Sequence, residues 1–248
     1  MSKMIRFTWL VLLAAGLLAA CAAPQAALTP TSVPATATQP EPTQPASTPT
    51  GVPGIPGEQV AIPVPEDNET VPATVTGQGE IGVILADTFG YDPARWLPLV
   101  EALAGNETLR VVTFAYRDED ATPNQDTRAV FDYLRAEGID RILCVGAGYG
   151  ARACGFLQDE PEMTGLVLMA IDNPAIDADI PKLFLTADAD PIGLAGSTER
   201  VFNQSAEPKE FKTYPAGIHG PALFRMEGVG PQVLADITGF IDRIVTGQ

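Results

Sequence analysis

The sequence predicts an α/β fold, a mostly parallel central sheet with helices on both faces. Three observations carry that expectation. Short apolar runs of strand length recur along the last two thirds of the chain. Segments of helical period separate them, and two of these close at a glycine, Gly105 and Gly138, a residue suited to a helix C-cap. Strand and helix alternate rather than coming in blocks, which is the arrangement βαβ units produce.

The first 20 residues, MSKMIRFTWLVLLAAGLLAA, place Lys3 and Arg6 ahead of an apolar run and then small residues. That layout is a secretory signal peptide. Leu18-Ala19-Ala20-Cys21 resembles the lipobox of bacterial lipoproteins, in which the cysteine becomes the lipidated first residue. The resemblance implies a bilayer partner held through Cys21, on the extracytoplasmic side of a bacterial cell envelope. Residues 21–69 are then expected to be a tether. From 22 to 57 it is rich in Pro, Thr and Ala, with no hydrophobic period. Such a segment cannot bury enough surface to offset its ordering entropy. Fully extended as polyproline II, at about 3.1 Å per residue, it would reach on the order of 100 Å.

The folded domain is expected over residues 70–248. QVAIPVPEDNETVPATVTG (59–77) could add a hairpin or edge strand, its prolines keeping it from the sheet centre. IGVILAD (81–87) and LRVVTFAY (109–116) read as buried strands, with a helix over 93–105 between them. A helix over 127–138 leads to RILCVG (141–146), a strand that runs into a short helix through residue 157. TGLVLMAID (164–172) and IPKLFLTAD (180–188) are further strands. A helical segment over 194–204, an alternating edge strand EFKTYP (210–215) and an amphipathic helix over 231–245 complete the chain.

Functional groups of such sheets sit at the carboxyl ends of the strands. There the sequence offers Gly146-Ala147-Gly148-Tyr149-Gly150, then Asp188-Ala189-Asp190-Pro191, then Ala216-Gly217-Ile218-His219-Gly220, which holds the only histidine. This order of turn, acid and histidine resembles the α/β-hydrolase superfamily, with its G-x-S-x-G elbow between strand and helix. The resemblance covers nearly all of residues 80–248, including Trp96. It implies Gly146 and Gly150 flanking the nucleophile position, Asp190 as the acid with Asp188 as alternate, and His219 as the base. It also implies an oxyanion hole from backbone N–H groups around Thr88, Phe89 and Tyr149. The connection 173–179, where many family members insert a lid, is short, so an open cleft is implied.

Two departures bear on activity. The nucleophile position is Gly148, which has no side chain, and the family's frequent His-Gly pair after the first central strand is Ala86-Asp87. Asp87 would bring negative charge toward a site meant for an anion. Tyr149, beside the apex, is a phenol and a poor nucleophile without strong activation. The residues therefore suggest a non-catalytic domain that binds a small molecule or a protein in the old cleft. The alternative is a hydrolase of an ester or related bond in which His219 and Asp190 activate water.

Composition limits other functions. Net charge is −16, and losing the signal peptide leaves 13 basic against 31 acidic residues, or −18. Nothing attracts nucleic acid. The glycine turn lacks the G-x-G-x-x-G spacing of a dinucleotide site. No cofactor and no metal are expected. Cys144 and Cys154 flank the turn, four residues before and six after Gly148. In an exported chain they are candidates for a disulfide, the alternative being two small buried apolar groups.

Overall fold

The computed structural model of the protein describes residues 51–88, 92–117 and 123–248. The signal peptide, Cys21, most of the tether and Phe89 lie outside the described residues. The chain runs β1 (Glu58–Val64), β2 (Glu69–Thr76), β3 (Ile81–Ala86), α1 (Leu97–Leu103), β4 (Leu109–Phe114), α2 (Pro123–Ala136), β5 (Arg141–Ala147) and α3 (Tyr149–Gly155). It continues through β6 (Met163–Met169), β7 (Lys182–Ala187), α4 (Ala195–Gln204), β8 (Lys209–Tyr214) and α5 (Gly230–Thr246). Short 3₁₀ turns at Pro93–Trp96 and Gly220–Arg225 precede α1 and α5.

One eight-stranded sheet has the order β1-β2-β4-β3-β5-β6-β7-β8. From β4 to β8 the neighbours are parallel, while β1 and β2 add an antiparallel hairpin against β4. The chain leaves β3 toward β4 and then returns to the other side of β3 with β5. The topological switch point therefore lies between β3 and β5, where a crevice opens beyond the strand ends.

Period-2 alternation assigns each strand residue to one of two cores. Val83, Leu85, Leu143 and Val145 face α1 and α5, packing with Trp96, Leu99, Val233, Ile237 and Ile241. Ile84, Ala86, Ile142 and Cys144 face the other layer, with Val130, Phe131 and Leu134 of α2, Cys154 of α3 and Val201 of α4. The α/β architecture with helices on both faces is as the sequence predicts.

The N-terminal boundary differs from the expected residue 70. Val52 and Ile55 are buried in the α1/α5 core, and the Val52 N–H donates to Thr74 Oγ1 at 2.9 Å. β1 is the outermost strand, so Pro63 removes a donor only where no central ladder needs it. The hairpin expected over 59–77 is formed by β1 and β2, and the Val and Ile residues of 51–57, read as tether, are built into the fold as well.

Candidate functional site

The turn between β5 and α3 is a tight elbow. Gly148 has φ 54° and ψ −115°, a conformation that side chains rarely adopt. Its N–H donates to the Met169 carbonyl at 2.9 Å, fixing it to the end of β6. A Cβ on Gly146 would lie 2.5 Å from Ala151 N, and one on Gly150 would overlap the Ala86 carbonyl. The elbow thus needs glycine on both sides because its limbs, and the end of β3, touch backbone to backbone. Beneath it a Cys144–Cys154 disulfide, with Cα atoms 5.5 Å apart, ties β5 to α3.

The loop after β7 supplies Asp190 and the loop after β8 supplies His219. Both are buried, and His219 Nδ1 lies 2.8 Å from Asp190 Oδ2. A carboxylate only accepts, so the Nδ1–H donates and Nε2 is turned toward the elbow. Nε2 is buried with no hydrogen-bond partner among the described residues. It lies 3.4 Å from where a Cβ on Gly148 would sit. The two aspartates of this loop divide their roles. Asp190 Oδ1 also accepts the Ile192 N–H at 3.0 Å, whereas Asp188 Oδ1 accepts the Ala216 N–H at 3.0 Å and clamps the two loops together. The Arg95 guanidinium holds the His219 carbonyl at 3.0 Å from Nη2.

Asp87 is engaged by Arg95 and by the Thr88 N–H. It is buried, its Oδ1 lies 3.7 Å from Arg95 Nη1, and the same oxygen accepts the Thr88 N–H at 2.6 Å. Burial outweighs the Arg95 attraction and pushes the carboxyl up to about 6. The Thr88 N–H, expected in the oxyanion hole, is donated to Asp87 in this structure. The Thr88 side chain enters the site instead. Its Oγ1 donates to the Ala147 carbonyl at 3.0 Å and occupies the volume that a Cβ on Gly148 would need. Phe89 lies outside the described residues.

A cleft of about 160 Å³ over Gly148 is lined by Thr88, Tyr149, Arg152, Asp172, Leu194 and His219, with Ile192 at its edge. Tyr149 opens α3 with its ring half exposed. Arg152 sits over that ring, 4.8 Å from its centroid, and forms a two-pronged ion pair with Asp172. The Arg152 hydrogen bonds hold the Asp172 carboxyl below its ordinary range. Sequence reasoning missed Arg152 and Asp172. The available signals were one helical turn of spacing from Tyr149 and a position just past a strand's carboxyl end.

No family model matches the chain, and no curated protein matches it in sequence. Solved structures do match. An esterase from Pyrococcus furiosus superposes with a TM-score of 0.63 at 16% identity, over 77% of this chain and 92% of that one. A thermophilic esterase from Thermogutta terrifontis, with malate bound, gives 0.60 at 15%, over 76% and 99%. A monoacylglycerol lipase from Paleococcus ferrophilus gives 0.60 at 14%, over 72% and 99%. With the sheet order and the elbow already described, these superpositions establish that the chain carries the α/β-hydrolase fold.

Proposed function

We propose that this protein is a lipid-anchored domain of α/β-hydrolase fold that has lost serine-nucleophile catalysis and binds a small ligand or partner in the remaining cleft. The observation that carries the reading is Gly148 at the apex of a fully formed elbow, with Thr88 Oγ1 in the volume a seryl side chain would enter. A cleft lined by apolar Leu194 and Ile192 together with His219 suits a compact ligand bearing a hydrogen-bonding group. The anchoring part is supported by the lipobox-like Leu18-Ala19-Ala20-Cys21 and the Pro/Thr/Ala-rich segment that follows.

Two measurements on the full-length chain test this. A fluorophosphonate should modify no serine, and Cys21→Ser should move the protein from the membrane to the soluble fraction. A modified serine would overturn the catalytic part of the proposal, and unchanged membrane retention of Cys21→Ser the anchoring part.

One observation favours a second reading. His219 Nε2 is buried without a partner beside a bonded Asp190, the arrangement of a general base awaiting a proton. On this reading the pair activates an attacking oxygen on an ester or related bond.

A further inference from the structure

We propose that Thr88 supplies the nucleophile the elbow lacks, attacking a short-chain acyl ester with its Oγ1 while His219 acts as general base. This rests on the second reading above, hydrolysis driven by the Asp190–His219 pair.

The argument is geometric. A Cβ placed on Gly148 would overlap Thr88 Oγ1, and the same point lies 3.4 Å from His219 Nε2. A hydroxyl therefore stands at the apex of the elbow, delivered by the loop after β3 rather than by residue 148. Glycine at 148 then becomes a requirement, since any side chain there would collide with Thr88 Oγ1. The hydroxyl is also held in place. Asp87 pins the Thr88 N–H at 2.6 Å, and a β-branched side chain has few χ1 choices. Its hydrogen is given to the Ala147 carbonyl at 3.0 Å and Nε2 has no hydrogen-bond partner among the described residues, so Oγ1 must turn from that carbonyl toward Nε2 before it attacks.

Other candidates fare worse. Cys144 and Cys154 are joined to each other, and the Tyr149 ring lies half exposed under Arg152. The cleft, about 160 Å³ with Leu194 and Ile192 along it, has room for a short acyl chain.

In the first step Nε2 takes the Thr88 hydroxyl proton as Oγ1 bonds to the ester carbonyl carbon. The tetrahedral adduct collapses, the C–O bond to the alcohol breaks, and Nε2–H protonates the departing alkoxide. An acyl ester on Thr88 remains. Water then gives a proton to Nε2 and bonds to the acyl carbon. The bond between the acyl carbon and Thr88 Oγ1 breaks, Oγ1 regains the proton from Nε2–H, and the carboxylic acid leaves. The sum is ester plus water to acid plus alcohol.

The test uses the detergent-solubilised full-length protein with p-nitrophenyl acetate and a fluorophosphonate, the adduct located by peptide mass spectrometry. The proposal expects the adduct on Thr88, a fall in turnover of at least about 10²-fold in Thr88→Val and in His219→Ala, and retained turnover and labelling in Thr88→Ser. The Thr88→Ser variant and the wild-type adduct answer the question even should Thr88→Val fold poorly. His219-dependent turnover that survives Thr88→Val overturns the assignment to Thr88 and leaves water as the nucleophile. Absence of both turnover and adduct in the wild type overturns the second reading along with it.

Discussion

Around Gly148 a few atoms decide what chemistry is open to the protein. Residues 88 and 148, far apart in sequence, share one volume, and Thr88 holds it. Asp87 matters at the same scale. Its carboxyl is raised by burial from 3.8 to about 6, so the folded protein binds that proton more tightly than the unfolded chain. Its contribution to stability therefore falls as pH rises from about 4 to about 6, and above that the full cost of a buried charge is present. Asp87→Asn keeps an acceptor for the Thr88 N–H. It should stabilise the protein at pH 7.5 by on the order of 2 kcal/mol, with the gain vanishing below about pH 4. Urea unfolding at the two pH values checks this, and equal effects at both would contradict it. The sequence did not lead to the Thr88 hydroxyl, because a shared volume between distant residues is created only by folding. By contrast Asp190 and His219 were legible from their offsets past two strands, and they lie 2.8 Å apart. Choosing between Asp188 and Asp190 needed the Asp188 bond to Ala216.

At the scale of elements, the β5–α3 elbow is the most constrained part of the fold. Backbone crowding at Gly146 and Gly150 fixes its path, and the Cys144–Cys154 disulfide closes a short loop across it, with a separation of 10 residues. Closing a loop of that size restricts the unfolded chain by about 2–3 kcal/mol. Replacing both cysteines by alanine should lower the unfolding free energy by about that amount, and dithiothreitol should do the same to the wild type. An unchanged urea midpoint would contradict this. The strands were legible because each is a short apolar run. β1 was less so, since an edge strand carrying Pro63 has the texture of the tether before it. Arg152 and Asp172 escaped notice for a different reason. Each looks like a surface charge until α3 and the end of β6 bring the pair together beside Tyr149.

For the molecule as a whole, the sheet's switch point between β3 and β5 explains why the site lies where it does. The loops after β3, β5, β7 and β8 all converge there, bringing Thr88, Gly148, Asp190 and His219 together. The central claim is that this α/β-hydrolase fold keeps a paired Asp190 and His219 at an elbow whose nucleophile space Thr88 has taken. The most direct measurement compares Gly148→Ser with Gly148→Ser/Thr88→Ala for p-nitrophenyl acetate hydrolysis and for fluorophosphonate labelling at residue 148. The account predicts that the single variant is obstructed and the double variant gains labelling and turnover at residue 148, both abolished by adding His219→Ala. Full activity at residue 148 in the single variant, or activity there that survives the loss of His219, would contradict it.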